Sequence, residues 1–198
     1  MEAHAFLELV LKHLPPAAPT AYAFTHWSHD GRPTDEGLGL LPVPGLDPEA
    51  ALAAVMDVDR YAGNLDHVVE CRSKADPRFE PPDAVRFYQR LEIPMIGAIQ
   101  HELALQRLGT HAGYQCAGWD ILRPETDALS PKAGFRSDYN HGVWLAAPGL
   151  LGYALGSAPK RKDVGFLKWK ALTSGADAAA SRVIKANIQA MARWADRR

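Results

Sequence analysis

A chain of 198 residues can bury a sizeable core in one domain, and its 47% hydrophobic and 23% charged content is ordinary for a soluble globular protein. The formal net charge of -1 provides no general attraction to nucleic acid or to anionic membranes. No stretch approaches the ~20 apolar residues of a membrane span, and acidic Glu2 with no long apolar run behind it does not read as a secretory signal. Cys71 and Cys116 are far apart and make a poor disulfide framework, so both read as small buried residues of a reducing compartment. A cytoplasmic location is the expectation.

Phe6, Leu7, Val10, Leu11 and Leu14 fall at helical spacing and predict an amphipathic helix over residues 1–15, which Pro15-Pro16 stops. Its expected place is over an edge or end of the domain. Residues 22–27 are aromatic and β-favouring, Asp30-Gly31 is a turn signal, and residues 37–43 can return as the partner strand. Asp47 followed by Pro48 opens a helix whose apolar stripe is Leu52, Val55 and Met56, ending near Tyr61-Ala62-Gly63.

Strands follow. Residues 65–73 alternate imperfectly, with Leu65, His67, Val69 and Cys71 on one side. Val85, Phe87, Leu91 and Ile93 alternate cleanly against charged neighbours, as do Ile99, Leu103 and Leu105. Residues 114–122, 135–147 and 150–156 complete the set; Tyr139, Val143 and Leu145 share one parity, and Leu151, Tyr153 and Leu155 another. Residues 164–172 predict a short helical lead-in before Ser174-Gly175. Asp177 then caps a long helix to Trp194, with Ala180, Ile184, Ile188, Met191 and Ala195 on one face. Consecutive strands joined by short turns imply an antiparallel meander, and the whole chain reads as one α+β domain.

Particular residues carry a resemblance. Asp57-Val58-Asp59-Arg60-Tyr61 leads into the strand at Val68, Ile93-Pro94 ends another, and Gly142-Val143-Trp144-Leu145-Ala146-Ala147-Pro148 precedes Gly152-Tyr153. In this order, over residues 48–195, they resemble the START-like (helix-grip) superfamily. One departure is that Gln100-His101-Glu102 stands where that family often has an Arg-Asp pair, so a polar contact made there by other members does not carry over. The resemblance implies a curved antiparallel sheet wrapped around the C-terminal helix, with a deep apolar pocket between them. It also implies binding, transfer or sensing of a lipid or other hydrophobic molecule, with polyketide cyclase or aromatase chemistry as the enzymatic alternative. The superfamily has no shared catalytic signature.

Candidate pocket residues are Trp119, Tyr139, Trp144, Tyr153 and Trp169, with Ile184, Ile188 and Met191 from the closing helix. The aromatics suit an amphipathic ligand and equally suit a filled core. Strand parity is open, because one bulge exchanges inward and outward sets. Gln89, His101 and His141 are polar residues on apolar parities. Buried there, they need either a ligand or each other. His101, His141 and Tyr139 are the groups that acid–base chemistry on a polyketide would use. His26 and His29 are the one close histidine pair, but on a strand they point to opposite faces, so no metal or other cofactor is expected. No nucleophile elbow or phosphate loop occurs. The expected partner is a hydrophobic small molecule or lipid, with transient membrane contact and no nucleic acid.

Overall fold

A computed structural model describes residues 2–29, 31–93, 97–173 and 177–197. In chain order the elements are α1 (Glu2–Lys12), β1 (Ala23–Trp27), β2 (Glu36–Pro42), α2 (Pro48–Met56), a 3-10 turn (Val58–Arg60), β3 (Val68–Lys74), β4 (Ala84–Ile93) and β5 (Gly97–His111). They continue with β6 (Tyr114–Ile121), α3 (Arg123–Asp127), β7 (Phe135–Ala147), β8 (Leu150–Pro159), α4 (Arg161–Val164), α5 (Phe166–Thr173) and α6 (Asp177–Ala195). The eight strands form one curved sheet in the order β1-β2-β8-β7-β6-β5-β4-β3. Neighbours in that order are antiparallel. In addition, β5 and β7 pair in parallel over Ile99↔Phe135 and Gln100↔Arg136, beyond the end of the shorter β6.

Helices pack on both faces of the sheet, over only part of the outer one. On the inner face, α2 and α6 pack with the side chains of β3–β8 into one apolar core that includes Val55, Phe87, Leu105, Trp119, Trp144, Ile188 and Met191. On the outer face, Phe6, Leu7 and Val10 of α1 pack on Leu38, Leu40, Val143, Leu145 and Ala154. The N-terminal helix therefore lies across a face of the sheet and not over its edge. Asp120 of β6 accepts the Ala3 amide at 2.8 Å and holds the helix's first turn.

Other boundaries differ from the sequence reading for local reasons. Asp47 does cap α2, its Oδ1 accepting the Glu49 amide at 3.0 Å, but the α-helix ends at Met56 and tightens into the 3-10 turn. In β3 a bulge at Val69 turns Val68 and Cys71 inward and leaves Val69 exposed. The lead-in to the last helix is two short helices, broken at Gly165 with φ +77°. Asp30, Pro94, the Ser174-Gly175 turn and the side chain of Asp177 lie outside the described residues.

α6 sits directly on strand backbone. A Cβ at Gly39 would come within 2.4 Å of Ile184 Cγ2, and one at Gly37 within 3.2 Å of Ile184 Cδ1. Glycine at these β2 positions allows Ile184, Ile188 and Met191 to bury fully. We expect Gly39→Ala to destabilise the protein by about 1–3 kcal/mol through this clash. Calorimetry should show a melting temperature lower by several degrees; an unchanged value would show that Ile184 does not rest on this backbone.

Candidate functional site

The inner face holds a cavity of about 150 Å³ between α6 and β3–β8. At its deep end lie Tyr61, Leu65, Val68, Phe87 and Leu105, all buried. Tyr61 follows the 3-10 turn; its hydroxyl donates to the Val55 carbonyl, and its ring meets Phe87 and Trp194 edge-on at 6.1 and 6.0 Å. At the other end Ile93, Ile99, Leu155 and Val183 are only partly covered, and Val183 is 42% exposed, so the cavity reaches solvent beside the first turns of α6.

One wall is aromatic. The Trp119 ring stacks on Tyr153 at 5.3 Å, and Tyr153 lies against Trp144 at 4.3 Å. Gly142 makes room for this arrangement, since a Cβ there would fall 2.2 Å from the Trp119 ring. Burial raises the pKa of the Tyr153 phenol, and a hydrogen bond with Asn187 of α6 works against that rise.

Two polar rows cross the wall. In the first, Gln89, His101 and Ser137 come from β4, β5 and β7. His101 Nε2 is 2.9 Å from Gln89 Oε1, and its Nδ1 is 3.1 Å from Ser137 Oγ. His101 is 1% exposed, and burial pushes its imidazole down to about 3, so it is neutral. In the second row, Trp119 Nε1 donates to Asn140 Oδ1 at 2.7 Å, and Asn140 Nδ2 donates to Ser157 Oγ at 3.3 Å.

Of the residues singled out from the sequence, Gln89, His101, Trp119, Trp144 and Tyr153 line this cavity together. Tyr139 and His141 lie on the opposite face. A bulge at Asp138 shifts the register of β7 between Ser137 and Tyr139, so Ser137, Asn140 and Trp144 face inward and Tyr139, His141, Val143 and Leu145 outward. There His141 bonds Glu36 at 2.9 Å and packs edge-on against Phe6, while Tyr139 bonds Thr34. Trp169 sits on α5, outside the cavity, under the Arg161 guanidinium. Ile184, Ile188 and Met191 form the buried seam of α6, and its cavity-lining residues are the neighbouring Val183 and Asn187.

Sequence reasoning missed Asn140 and Ser157, although each shares strand parity with a chosen residue, Trp144 and Tyr153 respectively. His26 and His29 bond Asp35 at 2.9 Å and Glu36 at 3.1 Å. Burial pushes the Glu36 carboxyl up, but hydrogen bonds from His141 and Trp27 outweigh that and hold it at about 2.

The backbone is similar to solved lipid-transfer structures. A STAR-related lipid transfer protein from Xanthomonas axonopodis superposes with a TM-score of 0.69 at 11% identity, covering 91% of this chain and 96% of that one. Human StAR-related lipid transfer protein 5 gives 0.68 at 12% identity over 96% and 94%. The fold is the START-like helix grip. An aromatase/cyclase from Streptomyces sp. R1128 has the same fold, with a TM-score of 0.53 and 12% identity over 89% of this chain and 96% of that one. The sequence matches no protein-family model and no curated protein. Within this helix grip, the segment Gln100-His101-Glu102 places neutral His101 in the cavity. Gln100 and Glu102 face outward, where Glu102 pairs with Lys74 and Arg86.

His101 gives the site a pH signature. Its folded pKa of about 3 lies below the ordinary 6.5, so the unfolded chain binds its proton first. Stability contributed by the neutral ring is whole above pH 6.5 and declines as pH falls towards 3. Between pH 6.5 and 5, we expect the wild type to lose about 2 kcal/mol more than His101→Gln in urea unfolding. Equal losses would show that the ring is not held neutral.

Proposed function

We propose that the protein binds a hydrophobic small molecule, such as a lipid, beneath α6 and carries or senses it. The observation supporting this reading is a cavity left unfilled between sheet and helix, walled by Trp119, Trp144, Tyr153 and aliphatic side chains. Protein interiors otherwise pack with few voids larger than a water molecule. At about 150 Å³ the resting cavity accommodates a ring or a short acyl segment. Pockets for larger ligands run to roughly 300–1,000 Å³. Uptake of a whole lipid therefore requires the cavity to widen, and its partly covered end at Val183 is where α6 can lift. The other end of the helix stays seated through Ile188, Met191 and Trp194, all buried.

A membrane would supply such a ligand, and α5 has the surface to meet one. Phe166 and Leu167 are 54% and 82% exposed side by side. Arg161, Lys162, Lys168 and Lys170 flank them. The acidic residue among them, Asp163, is bound to Arg136 at 2.7 Å, which anchors α4 to β7. The Lys168 ammonium lies 4.5 Å over the Phe135 ring, and Phe135 pairs with Ile99 at the open end of the cavity. Apolar side chains ringed by cations suit the interface of an anionic bilayer.

Trp144→Glu places a charge in the aromatic wall and should abolish uptake of a fluorescent lipid; unchanged uptake by the folded variant would sink this reading. The double variant Phe166→Ser, Leu167→Ser should sediment several-fold less with phosphatidylserine-containing vesicles while keeping its melting temperature, because neither side chain belongs to the core.

A further inference from the structure

We infer that the cavity selects an uncharged ligand carrying a hydroxyl or carbonyl that meets the free end of the Gln89 amide, and that it rejects ionised carboxylates and phosphates. This inference rests on the binding reading above and narrows it to one class of ligand.

Nineteen described residues line the cavity, and none of them is Asp, Glu, Lys or Arg. The strands instead carry their charges on the other parity or at the margins. On β4, Arg86 pairs with Glu102 at 3.1 Å and Arg90 with Glu92 at 2.7 Å, both away from the cavity. Arg107 has the inward parity of β5, but it sits past the deep end and pairs with Glu49 at 2.8 Å on the surface. An ionised head group drawn into this space would lose its water and find no counter-ion, which is strongly unfavourable.

The polar atoms that do face the cavity are neutral, and most are already partnered. His101 is held between Gln89 and Ser137, and Asn140 between Trp119 and Ser157. Gln89 differs. Its bond to His101 uses one terminal atom of the amide and leaves the other for a ligand. Gln89 is half-buried on the inward face of β4, between Phe87 and Leu91, so a ligand bonding it rests its apolar body on those side chains. A neutral hydrogen-bonding group on the wall of an apolar cavity orients a ligand without demanding charge.

The test compares phenylbutanol with phenylbutyrate, which share a ring and chain and differ in charge. Binding is followed by calorimetry and by the fluorescence of Trp119 and Trp144 at neutral pH. The alcohol should bind at least about tenfold more tightly than the carboxylate, the smallest preference expected from stranding one charge. Gln89→Lys, which brings a cation to the wall, should reverse the order. Gln89→Leu should weaken the alcohol while leaving phenylbutane unchanged. Near-ultraviolet circular dichroism checks that both variants are folded. Equal or tighter binding of the carboxylate by the wild-type protein overturns the inference but leaves the binding reading standing. If neither compound, nor phenylbutane, binds, both fall. An alcohol affinity unaffected by Gln89→Leu removes Gln89 from the site and overturns the assignment of its role.

Discussion

Ile184 rests on the bare backbone of Gly39, and this contact sets how closely α6 approaches the sheet. The helix is pulled towards β2, where Gly37 and Gly39 offer no side chains, and it also packs on β8 and α2. Its seam of Ile184, Ile188 and Met191 closes that side fully. The far strands, β4 and β5, then face a gap, and their inward side chains Phe87, Leu91, Ile99 and Leu103 become cavity wall. The cavity is thus the consequence of an off-centre helix: a tight seat on one side of a curved sheet leaves the other side open.

The same sheet separates two chemical environments. Inward side chains that line the cavity are aliphatic, aromatic or neutral polar. Outward positions of β4 and β5, away from α1, carry ion pairs such as Arg86 with Glu102 beside the neutral pair Tyr88 and Gln100. Glu36, His141 and Trp27 are buried at the border of the α1 core, half-exposed His29 stands at their rim, and all three partners bond Glu36. Gly156 lies under this cluster, where a Cβ would come within 2.6 Å of His141 Nε2. Such a network ties the β1–β2 hairpin to β7 from outside. That hairpin is the seat of α6, so outer-face polar bonds and inner-face packing act on one structural unit.

Much of this was legible in the sequence. Alternation in residues 85–93 and 99–105 located β4 and β5 and their inward faces, because a half-buried strand has period two. The Pro48 opening placed α2, the apolar stripe of α6 marked its buried seam, and the ordered motifs around Tyr61, Trp144 and Pro148 pointed to the helix-grip fold. Gln89 and His101 stood out because a polar residue on an apolar parity requires a partner.

Periodicity and the order of motifs therefore establish the list of elements, the fold they build and the largely apolar character of the inward sets on β4 and β5. Tertiary structure alone decided which parity of β7 faces the cavity, since both of its faces are buried and a bulge at Asp138 reverses the alternation midway. It also decided that α6 offers Val183 and Asn187, and not its most apolar stripe, to the cavity. Periodicity reports which side chains leave water; it carries no record of what they meet afterwards. That depends on where the glycines let a helix settle.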